Sequence, residues 1–102
     1  MARLVVIYKT PKDPKAFNDY YFASHVPLAK KIPGLRRYDV SEGVVGSPVA
    51  ASGVHLVATL HFDSVAAIQS SFRSPEGLAA AGDLVNFADG GADLYFFETR
   101  EV

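Results

Sequence analysis

The stretch Phe17-Asn-Asp-Tyr20-Tyr21-Phe22-Ala-Ser-His25-Val-Pro27-Leu28-Ala-Lys30-Lys31-Ile32-Pro33-Gly34-Leu35-Arg36-Arg37-Tyr38 carries a helix, its stop and the start of a strand. On a wheel of 3.6 residues per turn, Phe17, Tyr21, His25, Leu28 and Ile32 fall within an arc of about 80°. Four of these are core residues, and His25 stands at the edge of the arc, where an imidazole can face a cavity. Pro27 has no N–H for the carbonyl of Ala23, so the helix is expected to bend or loosen beside His25. In a regular helix interior such a break costs about 3 kcal/mol. The plainer alternative is a packed core histidine beside an incidental kink. Pro33-Gly34 ends the helix and opens a strand.

Outward from this stretch the pattern continues in both directions. Residues 3–9 are a β-branched apolar run, read as a strand with both faces covered. Asp13 and Pro14 form a helix start, as N-cap and first helical residue. A second strand is expected over 35–45, a loop over 43–53 and a third strand over 54–62. In that third strand Val54, Leu56, Ala58, Leu60 and Phe62 alternate with His55, Val57, Thr59 and His61. Helical segments follow from Ser64 to about Phe72 and from Ser74-Pro75 to about Phe87, then a strand over 94–99. The order is β-α-β-β-α-β, a split βαβ arrangement with helices on one face of one antiparallel sheet. The other face needs a cover, and a second copy of the chain supplies one, which predicts a homodimer.

Bulk properties narrow the function. A chain of 102 residues is expected to form a single domain over 1–102, and 49% hydrophobic content suits one core. A net charge of −1 gives no electrostatic case for nucleic acid or an anionic membrane. No apolar run approaches the roughly 18 residues of a membrane span, so a cytoplasmic location is expected. The absence of cysteine excludes disulfides, thiolate metal sites and cysteine nucleophiles. His55 and His61 are roughly 20 Å apart along a strand and cannot share an ion, so no metal is expected. Each is read as a polar residue on a partly solvated face, with His61 free to turn toward a carboxylate. Lys30, Lys31, Arg36 and Arg37 could hold an anion but read more simply as a solvated helix end. Walker, Gly-x-Gly-x-x-Gly and Gly-x-Ser-x-Gly patterns are absent, and the third strand lacks the aromatics of RNA-recognition domains.

The pair Tyr20-Tyr21, then His25-Val-Pro27-Leu28, then Pro33-Gly34 opening a strand that carries Tyr38, resembles the signature helix of the EthD family. The resemblance extends over the whole chain and implies a ferredoxin-like α+β fold that pairs into a dimeric α+β barrel. It is a weak guide to chemistry, since relatives isomerise lactones or tailor polyketides. Joined to the residues, it suggests a pocket between sheet and helices for a small hydrophobic oxygenated molecule. His25 would move a proton and Tyr21 would polarise the oxygen, with Tyr20, Phe22, Leu28 and Tyr38 as candidate wall residues. No cofactor is called for. Two other readings remain: a non-catalytic ligand-carrying dimer in a degradation pathway, or a cofactor-independent monooxygenase or haem-degrading relative. Pro27 makes axial haem ligation by His25 awkward.

Overall fold

The computed structural model describes all 102 residues, Met1–Val102. Four strands, β1 (Ala2–Lys9), β2 (Arg37–Val40), β3 (Val54–Phe62) and β4 (Ala92–Glu98), form one antiparallel sheet in the order β2-β3-β1-β4. This is the ferredoxin-like α+β order. Leu4, Val6 and Tyr8 of β1 stand opposite Leu60, Ala58 and Leu56 of β3, so these side chains share one face. That face is buried under helices α1 (Pro14–Tyr20), α2 (Val26–Ala29), α3 (Val65–Ser71) and α4 (Pro75–Gly82). Three helix starts follow local chemistry. The side chains of Asp13, Ser64 and Ser74 accept from the backbone N–H groups of Ala16, Ala67 and Gly77. No helix is long and apolar enough to cross a membrane.

The opposite face carries Val5, Ile7 and Val57, with Tyr95 and Phe97 exposed beside them on β4. Two expectations change in detail. The second strand is confined to Arg37–Val40, because the chain leaves β3 after Ser41 and turns at Gly43, which has φ +74°. His55 does not lie on the open face with His61. The β1–β3 register slips between Tyr8 and Lys9, and His55 instead packs edge-on against Phe17, with Nε2 2.8 Å from Asn18 Oδ1. A one-residue slip in a strand carries a side chain to the other face.

Candidate active site

Between α1 and α2 the chain makes a π-turn over Tyr21–His25, in which the N–H of Val26 donates to the carbonyl of Tyr21. The widened turn places Pro27 in the first turn of α2, where a missing N–H leaves no helical bond unmade. The break expected beside His25 therefore takes the form of one inserted residue rather than a bend, a feature often found at functional sites. The insertion also rotates everything after it. The buried stripe runs Phe17, Tyr21, His25, Ala29 and Ile32, and Leu28 is only half-buried.

His25 is 5% exposed, and its Nδ1 lies 2.8 Å from Oδ2 of Asp83, a residue also buried. Asp83 begins the 3-10 turn Asp83–Asn86 that follows α4. Its Oδ1 accepts from the Tyr20 hydroxyl at 2.6 Å and from Asn86 Nδ2 at 2.9 Å. Burial by itself would raise the Asp83 pKa, but the hydrogen bonds from Tyr20, Asn86 and His25 together hold it below the usual carboxylate value. An ionised carboxylate only accepts, so His25 Nδ1 carries the hydrogen, which leaves Nε2 as the ring nitrogen that can accept a proton. The ring is wedged against Phe87, with centroids 4.7 Å apart, and against Tyr21 at 5.3 Å.

His25 Nε2 has no protein partner, yet it is not sealed off, and His25 forms part of the wall of a narrow cavity beneath the sheet. The cavity holds about 30 Å³, room for about two water molecules. Fourteen of its fifteen lining residues are hydrophobic, with tyrosine counted among them, and the exception is His25. Tyr8, Tyr21 and Tyr38 also line this cavity. The Tyr21 and Tyr38 hydroxyls bond to one another in a short contact. Burial lifts all three phenols above their ordinary pKa. For Tyr8 and Tyr21 the proximity of Tyr38 adds to it, while for Tyr38 the bond from Tyr21 partly offsets it. The phenols are therefore neutral donors at physiological pH, and His25 is the one side chain in the cavity wall suited to accept a proton there.

These elements, a sheet-and-helix cavity reached by a histidine from a π-turn after Tyr20-Tyr21, accompany a match of the EthD domain to residues 9–91. The chain belongs to the EthD family. It is 38% identical over 104 residues to an uncharacterized 11.0 kDa protein in the thcB-thcC intergenic region of Rhodococcus erythropolis, covering 100% of this chain and 98% of that protein. An EthD family protein from Bacillus halodurans superposes with TM-score 0.89 at 36% identity, over 98% of this chain and 99% of that one. A hydroxynitrile lyase from Passiflora edulis superposes with TM-score 0.75 at 20% identity, over 99% and 94% of the two chains, a likeness of fold alone.

In this EthD domain His25, Tyr21 and Tyr38 meet at one cavity. The other three candidate residues lie elsewhere. Tyr20, one position before Tyr21 and so about 100° round the helix, turns away to bond Asp83. Phe22 is 52% exposed on the outside of the π-turn. Leu28 is displaced from the wall by the inserted residue, and Ala29 stands there instead. Sequence reading missed Asp83 and Tyr8. Asp83 interrupts an apolar spacing formed by Gly77, Ala80 and Phe87, all buried, and a carboxylate on such a stripe was its one local signal. Tyr8 gave none beyond its place in an apolar strand. The other histidines have their own partners, His55 with Asn18 and His61 with Asp39, and no three His, Asp or Glu side chains converge as metal ligands. In the basic cluster Arg36 grips Asp63 and Arg37 reaches Asp39.

Proposed function

We propose that this EthD-family protein catalyses cofactor-free proton transfer on a small hydrophobic oxygenated molecule, with His25 as the base. The observation that supports this reading is an imidazole fixed at Nδ1 by a buried carboxylate, with no protein partner at Nε2, on a ring that lines an apolar cavity together with three tyrosines. Nε2 takes a proton from a C–H beside a carbonyl, and that bond's electron pair moves onto the carbonyl oxygen to give an enolate. A tyrosine hydroxyl donates to the oxygen; within the Tyr21–Tyr38 pair one hydroxyl donates to the other, so one hydrogen remains for the ligand. The imidazolium formed meanwhile is stabilised by Asp83, and it returns the proton to the same or a neighbouring carbon, giving exchange or isomerisation. Positioned general bases of this kind contribute about 10²–10⁴-fold in rate. The subunit acts as a homodimer joined through the open face of the sheet, where Val5, Ile7, Val57, Tyr95 and Phe97 lack a cover within the chain.

The test is deuterium uptake from D2O into a panel of small apolar ketones, aldehydes and lactones, followed by proton NMR. Wild type accelerates exchange with at least one member, and His25→Gln lowers that rate about 100-fold or more while its melting curve remains cooperative. Equal rates in the two proteins, or no acceleration with any member of the panel, sinks the reading.

A further inference from the structure

Tyr8 lies on the central strand and is 1% exposed. Its ring is held edge-on by Phe17 and Tyr21, with centroids 5.3 and 5.6 Å away. Its hydroxyl bonds to no protein atom, yet it is not sealed off, so the trace of surface that Tyr8 keeps lies at that oxygen, in the cavity that His25 also lines. Two buried side chains thus present unpartnered polar atoms to one space, the Tyr8 hydroxyl as donor and His25 Nε2 as acceptor. That space takes only about two water molecules, enough for a single oxygen function and too small for a whole organic ligand. It does not end there. Leu4, Phe72, Ala81 and Leu94 line both this cavity and an outer groove of about 360 Å³, whose further walls include Ile68 and Phe96.

We propose that Tyr8 is the anchor for the ligand's oxygen, and that the groove between β4 and helices α3 and α4 holds an apolar chain attached to it. The inference rests on the proton-transfer reading for its site but makes a separate claim about the ligand: an elongated, uncharged molecule with one carbonyl or hydroxyl at its end. A carboxylate or phosphate is disfavoured in the inner cavity, since no cation lines it and burying an unpaired charge is costly. Apart from Gln69 and Arg73 the groove walls are apolar, and they are continuous with the anchor through the shared neck. Tyr8 here is a residue that touches the ligand. Tyr21 and Tyr38, already bonded to each other, are less free to do so.

The experiment is a titration of the protein with alkan-2-ones of four to ten carbons, reading Kd by saturation-transfer NMR. In wild type each added methylene tightens binding about fourfold until the groove is filled. Tyr8→Phe weakens every ketone by a common factor of about tenfold and leaves the dependence on chain length intact. Because the hydroxyl has no protein partner and the ring remains, this variant folds, as its melting curve shows. Leu94→Asp, at an exposed edge-strand position, flattens the chain-length dependence. A Kd in wild type that does not vary with chain length, or an unchanged Kd in Tyr8→Phe, overturns the proposal. If the ketones bind in the expected way but take up no deuterium, proton transfer fails and the anchor and groove stand. Deuterium uptake with an unaltered Kd in Tyr8→Phe gives the reverse.

Discussion

Asp83→Asn changes one atom at the centre of the site, and its consequences follow from the three bonds the carboxylate makes. The asparagine carbonyl can still accept from Tyr20 and Asn86, whose donors lie 2.6 and 2.9 Å from Oδ1. Its NH2 group then takes the place of Oδ2, 2.8 Å from His25 Nδ1. Two donors cannot face each other, so the neutral ring moves its hydrogen to Nε2 and leaves a lone pair on Nδ1 to accept. The atom turned to the cavity becomes a donor and can no longer take a proton. Replacing charge-assisted bonds by neutral ones costs about 2 kcal/mol at this buried carboxylate. For a domain of this size that lowers Tm by roughly 8 °C. Proton exchange falls about 10²–10⁴-fold at pH 7, while ketone affinity changes little, because the Tyr8 anchor is untouched. Nitrogen-15 NMR of His25 reads the tautomer directly, with the hydrogen on Nδ1 in wild type and on Nε2 in the variant. An unchanged tautomer, or exchange within threefold of wild type, refutes the reasoning. The acid limb supplies a second readout. A carboxylate whose folded pKa is lowered stabilises the fold above its ordinary value, and that contribution is lost as pH falls through the folded one. Wild type therefore loses Tm more steeply than Asp83→Asn below about pH 4.

Three further outcomes are expected. The folded pKa of Tyr8, Tyr21 and Tyr38 is raised, so the stability they contribute is intact below the ordinary phenol value and is lost as pH rises beyond it. Absorbance at 295 nm should show these three of the five tyrosines ionising together with the unfolding transition. Gly77→Ala places a Cβ 2.1 Å from the carbonyl oxygen of Ser71, where α4 crosses close to the end of α3. It should lower stability by about 3 kcal/mol in a denaturant melt, and a loss below 1 kcal/mol would show that α4 shifts freely. Ile7→Arg, on the open face of the sheet, should convert the proposed homodimer to a monomer in sedimentation without unfolding it.

Much of the architecture was legible along the chain because it is written in local periods. The alternation of Leu56, Ala58, Leu60 and Phe62, the caps at Asp13, Ser64 and Ser74, and the Pro33-Gly34 stop each express constraints within a few residues. That His25 shares a helical stripe with Phe17, Tyr21 and Ile32 was legible for the same reason, whereas its place inside that buried stripe and not at the border was not. The ideal helical wheel failed at one step: a π-turn inserts a residue, and every side chain beyond it turns to a different bearing, so Leu28 left the wall and Ala29 entered it.

The sequence by itself determined the element order, the antiparallel α+β class and the presence of one imidazole on the first helical segment. Only the tertiary structure decided which atom of that imidazole is free. That choice is made by Asp83, 58 positions away, brought in by the packing of the α4 end against the π-turn. The isolated hydroxyl of Tyr8 is likewise a property of what surrounds it in space. Local pattern reports which faces are apolar, whereas hydrogen-bond satisfaction depends on pairs that only the folded chain brings together.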